Sequence, residues 1–397
     1  SPDRDEELIM PSVPDSVEAL LQQMVRLNTV NTAVSGDPLI ENKLADLNQS
    51  VAEAMGFATR RLPVVGRADN LLVTFTADAA RPWLMFESHM DTVTTEAMTV
   101  DPLGAEIREG RMWGRGTCDT KGTGAAMLWA LHDYAQGREQ PNNIAIAFTI
   151  DEEYGMTGVS SFVENDYPTL GFAPVGIVVG EPTLCEPIVA HNGCARLKVT
   201  TRGVAAHSSR PAAGRSAISD MMRLVDRIES GYIPGLSASH PLIGKAQCGV
   251  TLIRGGVQSN SIPEHCEIEI DRRIVPGEDP GTVKPAFEKL LADVAAEHPG
   301  MNASVKVYFT CNPLRPEPSR DFLPHVQRVL DALGIPSAGQ GRPYCTDAGE
   351  LAAAGLPVLV LGPGDMTKAH TKDEYLEIEQ LHQGVKVYGE LMRNAYR

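Results

Sequence analysis

Trp83-Leu84-Met85-Phe86-Glu87-Ser88-His89-Met90-Asp91 reads as a short apolar strand that ends in an imidazole and a carboxylate. A brief apolar run of this kind suits a strand buried inside a sheet. The pattern recurs along the chain. Ile144-Ala145-Ile146-Ala147-Phe148-Thr149-Ile150 runs into Asp151-Glu152-Glu153, and Gly176-Ile177-Val178-Val179-Gly180 runs into Glu181. Pro357-Val358-Leu359-Val360-Leu361 is followed after a loop by His370, and Leu71-Leu72-Val73-Thr74-Phe75 is a further apolar strand. Helical stretches such as 122–135 lie between them. This alternation specifies an α/β domain with a mostly parallel sheet. Sites in open sheets of that class form outside the carboxyl ends of the strands. Four strand ends carry acidic or imidazole groups. Asp119, in Gly114-Arg115-Gly116-Thr117-Cys118-Asp119-Thr120-Lys121-Gly122 just ahead of a helix, adds a fifth. All five are expected to converge on one rim.

Ahead of these strands, Ser16 is placed to cap a helix running to about Leu27, with Val17, Leu20, Leu21, Met24 and Leu27 on one face. Residues 39–55 read as a second helix closed by Gly56. The middle of the chain changes character: a strand over 197–201, a helix over 216–229, alternating strands over 247–254 and 266–273, and a helix over 282–297. This describes a small α+β unit with two helices on one face of a hairpin-like sheet. The parallel pattern is expected to resume after about Asn302. A chain of 397 residues is long for one core. The expected organisation is therefore an α/β domain from residues 1–185 and 302–397, interrupted by an inserted α+β domain over 186–301.

The composition, 43% hydrophobic and 22% charged, is that of a globular protein. Lys and Arg total 35 against 51 Asp and Glu, for a net charge of −16. That excess argues against a nucleic-acid partner, because phosphate-backbone binding needs clustered cations. An acidic substrate must be drawn in by local cations or metals. No apolar run approaches the roughly 20 residues of a membrane span. The acidic Ser1-Pro2-Asp3-Arg4-Asp5-Glu6-Glu7 carries no hydrophobic signal segment. The expectation is a cytoplasmic protein with no membrane partner. Seven cysteines (Cys118, Cys185, Cys194, Cys248, Cys266, Cys311 and Cys345) are scattered with no Cys-x-x-Cys pair. They read as free thiols in a reducing compartment, with a cysteine-based zinc site set aside.

Carboxylates crowded on one rim repel unless a cation or protons intervene. Two divalent metal ions supply that charge. Mixed histidine and carboxylate ligands suit zinc, with cobalt or manganese as alternatives. Two metals about 3.5–4 Å apart need a bridging carboxylate and a bridging water. A remaining carboxylate can take the water's proton and pass it to a leaving amine.

In order and spacing, His89-Met90-Asp91, the glycine-bracketed Asp119, Asp151-Glu152-Glu153, Gly180-Glu181-Pro182-Thr183 and the late His370 resemble a known family. This is the di-zinc metallopeptidase family that includes acetylornithine deacetylase, succinyl-diaminopimelate desuccinylase, aminoacylase and glutamate carboxypeptidase. The resemblance implies a zinc-peptidase-like catalytic domain whose insertion serves as a dimerisation (lid) domain. It implies one metal held by His89, Asp119 and Glu181, and another by Asp119, Glu153 and His370, with Asp119 bridging. Glu152 becomes the general acid/base and Asp91 the carboxylate that holds the His89 imidazole. Gly203-Val204-Ala205-Ala206-His207-Ser208-Ser209 matches the family segment whose histidine reaches the active site of a partner subunit and polarises the scissile carbonyl. Asn260, in Gly255-Gly256-Val257-Gln258-Ser259-Asn260-Ser261-Ile262-Pro263, and Arg272, in Asp271-Arg272-Arg273, are implied to contact the substrate's carboxylate or the oxyanion. Strand alternation lets only one of Arg272 and Arg273 face the site. A homodimer through the inserted domain follows from the same resemblance.

Each residue also has a plainer role. Asp119 suits a helix N-cap. Glu152 and Glu153 suit the first turn of a helix, and Asp151 is assigned to that role. Glu181 alone is a loop acid and His370 a solvated loop histidine; five motifs in order outweigh these readings. Cys118 has no paired base and is not read as a nucleophile. His132, His240, His265, His298, His325 and His382 read as structural or solvated. His191-Asn192-Gly193 stands where the deacetylases resemble Ala-His-Lys-Gly, and the Arg-rich stretch of the desuccinylases is absent. The function so implied is metal-dependent hydrolysis of an amide C–N bond in an N-acyl amino acid, a small carboxylate-bearing substrate. The alternatives are a dipeptidase or carboxypeptidase, or an aminohydrolase acting on a non-peptide C–N bond of a small amine-bearing molecule.

Overall fold

Ser16 sits in extended backbone and its Oγ accepts the Ala19 N–H at 3.2 Å, which starts helix α1 (Val17–Arg26). Its apolar stripe, Val17, Leu20, Leu21, Met24 and Val25, is buried. This computed structural model describes residues 12–396, so the acidic Ser1–Glu7 segment lies outside the described residues. After α1 come α2 (Asn42–Ala54), β1 (Ala58–Leu62), β2 (Asn70–Phe75), β3 (Trp83–His89), α3 (Lys121–Ala135), β4 (Asn143–Thr149), β5 (Pro174–Val179) and β6 (Ile188–His191). Next are β7 (Gly193–Arg202), α4 (Ala217–Arg227), β8 (Gln247–Gly255), β9 (His265–Ile274), α5 (Val283–Glu297) and β10 (Asn302–Cys311). The chain ends with α6 (Leu323–Leu333), β11 (Gln340–Arg342), β12 (Val358–Val360) and α7 (Ile378–Arg393). Among the described residues, no helix is long and apolar enough to cross a membrane.

These elements form two units. The first takes residues up to Val189, Pro316–Gln340 and those from Glu350 on; the second takes Ala190–Arg315 and Gly341–Gly349. The first unit is built on a sheet of order β1-β2-β4-β3-β5-β12-β6-β11. Its centre is parallel: β4 with β3, β3 with β5, and β5 with β12. Its β1–β2 and β2–β4 ladders are antiparallel. Every residue of β4 is buried, and all of β3 beyond Trp83. Burial on both faces is why these strands read as unbroken apolar runs. The edge strand β1, Ala-Thr-Arg-Arg-Leu, has no such run and escaped the sequence reading. α3 packs against α1 and α7 and is buried over most of its circumference.

In the second unit the sheet order is β8-β9-β7-β10, antiparallel throughout. Leu197, Val199, Ile268, Ile270 and Ile274 pack with Leu224 of α4 and Phe287 and Leu291 of α5. The boundary expected at residue 301 falls ahead of β10, which was expected to resume the parallel pattern. Instead β10 pairs antiparallel with β7, from Asn302 opposite Arg202 to Cys311 opposite Cys194. Ala303, Val305 and Val307 alternate with Asn302, Ser304 and Lys306, the signature of a strand packed on one face. The second unit therefore runs to Arg315 and also takes in 341–349.

Gly176 on β5 marks a close approach: a Cβ there would lie 2.1 Å from the ring of Phe322. Gly176→Ala is expected to destabilise the protein by about 1–3 kcal/mol through overpacking. A urea midpoint lowered at unchanged slope is the expected result; an unchanged midpoint would show that the ring moves aside freely.

Candidate metal centre

Three parallel strands carry the site. In their ladders His89 stands opposite Thr149, just before Asp151-Glu152-Glu153, and Glu87 stands opposite Val179, just before Glu181. The carboxyl ends of β3, β4 and β5 thus deliver their polar groups to one rim. Asp119 comes from the loop before α3, and His370 from the loop after β12, with φ at +59°.

His89 Nε2 lies 3.1 Å from Asp119 Oδ1 and 3.7 Å from Glu181 Oε1. His370 Nε2 lies 3.1 Å from Asp119 Oδ2 and 3.0 Å from Glu153 Oε2. Each oxygen of Asp119 therefore faces a different imidazole. Ligand atoms about 2.0–2.1 Å from a tetrahedral zinc stand roughly 3.3–3.4 Å apart. Two groups of side chains here bring their ligand atoms within 4.8 Å of one another, His89–Asp119–Glu153 and His89–Glu152–Glu181, so each could hold a metal ion. Glu152 Oε2 sits 4.0 Å from His89 Nε2.

The electrostatics show how strongly the centre demands positive charge. Burial, reinforced by Asp119, pushes Glu153 up to about 7 and Glu181 well above the ordinary carboxylate range. Asp119 and Glu153 raise His370 to about 11 against its partial burial. For His89, burial opposes protonation, but Asp119 and Asp91, with Glu152 and Glu181, outweigh it and raise its pKa well above the usual value. Burial likewise opposes ionisation of Asp119, yet the two imidazoles hold its pKa below the ordinary range.

Asp91 does more than hold His89. It lies 3.4 Å from His89 Nδ1, and its oxygens accept the backbone N–H of Glu152 at 3.0 Å and of Glu153 at 3.1 Å. Asn31 Nδ2 donates to Asp91 at 2.7 Å and to Asp151 at 2.8 Å. Asp151 also accepts from Thr157 Oγ1 at 2.7 Å and lies 3.8 Å from Arg67. One carboxylate thus ties the imidazole to the two acids that follow β4. On the other side, Glu374 Oε1 accepts the N–H groups of Cys118 and Asp119 at 3.0 and 3.1 Å, while its Oε2 takes Arg115 at 2.6 Å. Asn31, Arg115 and Glu374 were missed by sequence reasoning. Asn31 carries only the signal of a helix cap, which it also is; the spacing of the other two to Asp119 carries none.

Two plain roles expected from sequence are corrected. The residue capping α3 is Thr120, so Asp119 is free of that duty. Asp151 is no solvated first-turn acid: it is 1% exposed, at φ +60°, and holds the turn that presents Glu152 and Glu153. Cys118 is buried, and burial with the charges of Glu374 and Asp119 pushes its thiol well above the ordinary value, which removes it as a nucleophile.

His207, Asn260 and Arg272 belong to the second unit. His207 pairs with Ser261 in a short ladder, and Ser208 N–H donates to Asn260 O at 2.9 Å, so His207 and Asn260 share one loop cluster. Arg272 lies on the helix-covered face of β9 with Ile270 and Ile274, buried and paired with Glu278 and Tyr232. Arg273, on the opposite face, is partly exposed.

Comparison with known proteins gives concordant findings. Residues 85–394 match the sequence profile of peptidase family M20/M25/M40. The chain is 30% identical over 376 residues to an acetylornithine deacetylase of Myxococcus xanthus, covering 92% of this chain and 94% of that protein. In fold it is similar to the M20 family metallo-carboxypeptidase Sso-CP2 of Sulfolobus solfataricus, with a TM-score of 0.79 at 16% identity over 96% of this chain and 99% of that one. It is similar also to YXEP of Bacillus subtilis, a dinuclear metal-binding M20 peptidase, with a TM-score of 0.68 at 15% identity over 95% and 97% of the two chains.

The hydrogen bonds of Asp91 generate a prediction. Asp91→Asn places an amide donor among groups that all donate, so metal affinity is expected to fall about 10–100-fold. Competition against a chelator of known affinity measures it, and unchanged retention of metal would show that Asp91 does not organise the ligands.

Proposed function

As the chain belongs to peptidase family M20/M25/M40, and is a metallohydrolase on that ground, we propose that it cleaves the amide bond of an N-acyl amino acid. The observation that carries this is Asp119, held between two imidazoles with a further buried carboxylate, Glu152, at their side. A structural metal site needs no such extra acid. The acetylornithine deacetylase of Myxococcus xanthus, matched along nearly its whole length, supports the acyl amino acid as substrate class.

His89, Asp119 and Glu181 would hold one ion, and Asp119, Glu153 and His370 the other, with zinc the best match to this donor set. When bound, such a pair lowers the pKa of a water toward neutrality and polarises the scissile carbonyl. Glu152 takes the proton of the attacking water and delivers it to the leaving amine. Its reach is set by its backbone N–H on Asp91. The substrate's carboxylate is assigned to Asn260 and to an arginine of the Asp271-Arg272-Arg273 run.

The protein acts as a cytoplasmic homodimer formed through the second unit, in this proposal. Free cysteines throughout the described residues accord with a reducing compartment. His207 is exposed, and its Nδ1 accepts the Ser209 N–H at 3.2 Å, which leaves the proton on Nε2 as a donor toward a carbonyl held by a second copy.

Hydrolysis of a panel of N-acetyl amino acids and unblocked dipeptides, before and after chelation and zinc repletion, tests the reaction. Metal-dependent amine release from the acyl amino acids is expected; cleavage of dipeptides alone would overturn the substrate class. Glu152→Gln is expected to retain both metals and lose about 10²–10⁴-fold in kcat. Full activity in that variant would remove Glu152 from the mechanism. For His207, inactive His207→Ala and Glu152→Ala proteins are expected to recover activity on mixing, while mixed dimers that form and stay inactive would refute action across the dimer.

A further inference from the structure

The second unit brings three cysteines together that the sequence keeps far apart. Cys194 is the second residue of β7 and Cys311 ends β10, and the two are direct cross-strand partners 117 residues apart in the chain. Their Sγ atoms are 3.5 Å apart. Cys345, from the 341–349 segment of the same unit, completes the group, with all three sulfurs within 4.8 Å of one another. Cys194 and Cys311 are buried and Cys345 is partly exposed, so the cluster is walled on one side and reachable on the other. We propose that Cys194, Cys311 and Cys345 form a thiolate site for a zinc-class d10 cation, separate from the catalytic metal centre.

The geometry suits that ion. Sulfurs about 2.3 Å from a tetrahedral zinc stand roughly 3.8 Å apart, so small side-chain movements bring all three into range. A fourth position remains for water. His191, although near, does not fill it: its Nε2 meets Thr346 Oγ1 at 3.0 Å and its Nδ1 meets Asn192 O at 2.8 Å.

Three adjacent cysteines, two of them buried, also pack as small apolar side chains. The charges around them argue for more. Arg196 and Arg273 both act electrostatically on Cys194, and Arg273 NH1 lies 3.9 Å from Cys345 Sγ. Asp271 pairs with both arginines, at 3.5 and 2.7 Å, so this trio carries one net positive charge. Three thiolates with a divalent ion carry one negative charge. A guanidinium donor at a sulfur, as Arg273 is at Cys345, is the kind of outer partner that holds metal thiolates in place. Soft thiolate ligands select zinc, copper(I) or cadmium over magnesium and calcium. The bound ion would staple the 341–349 segment to the adjoining ends of β7 and β10. The expectation that no cysteine-based zinc site exists rested on spacing along the chain, and three distant segments leave no such trace.

Cadmium is the probe, because its thiolate complexes absorb in the ultraviolet and the ligands assigned to the catalytic centre contain no sulfur. The reduced, chelator-treated full-length protein is titrated with Cd²⁺. We expect a sulfur-to-cadmium charge-transfer band saturating at one equivalent per chain. Cys345→Ser should lose that band and weaken cadmium binding at least tenfold, while Cys248→Ser, outside the cluster, keeps both. Protein purified without chelator should carry one more zinc than its Cys345→Ser variant. Absence of the band in the unsubstituted protein would overturn the proposal whatever the variants do. So would an unchanged band in Cys345→Ser, or a Cys194–Cys311 disulfide in the mass of the unreduced protein.

Discussion

Four carboxylates, Asp119, Glu152, Glu153 and Glu181, crowd together beside the buried His89, with the more exposed His370 at their edge. Such a group is stable only with compensating positive charge, because desolvation and mutual repulsion both disfavour ionised acids in close contact. The raised positions of Glu153, Glu181, His89 and His370 express that demand, each group drawing a proton toward the cluster. Divalent cations meet the same demand more fully, and Asp119 turns one oxygen toward each imidazole.

The scaffold exists to hold that arrangement against its own repulsion. Parallel pairing of β3, β4 and β5 places three strand ends at one level. Asp91 converts that rough placement into fixed directions by accepting from Glu152 and Glu153 while it orients His89. Glu374 does the same for the backbone at Asp119, and Arg115 neutralises it. Removing either partner of that buried ion pair would leave a charge stranded in the interior. The centre is thus organised by residues that stand behind the clustered imidazoles and acids.

The second unit solves a different problem. Its sheet is covered by helices on one face, and β10 contributes half-buried alternation where the central strands of the first unit show continuous apolar runs. Its cysteine cluster lies where β7, β10 and the 341–349 segment come together within the unit. The charges of Arg196, Arg273 and Asp271 around those sulfurs are as specific a feature as the carboxylates of the first unit.

Much of this was legible in the sequence alone. The apolar runs ending in His89, Glu153 and Glu181 declared a buried sheet with its chemistry at one edge, because a strand buried on both faces has no other way to read. Side-chain type said only that so many acids need cations; the assignment of each ligand came from the resemblance to the di-zinc metallopeptidases. Tertiary structure decided the rest. Asn31, Arg115 and Glu374 act on the centre through hydrogen bonds that span from 60 to 259 residues of chain, and no local pattern marks them. Asp151 turned from a surface acid into a buried anchor, β10 joined the second unit, and Cys194, Cys311 and Cys345 became neighbours. Periodicity records which face of an element is buried; it does not record which distant element buries it.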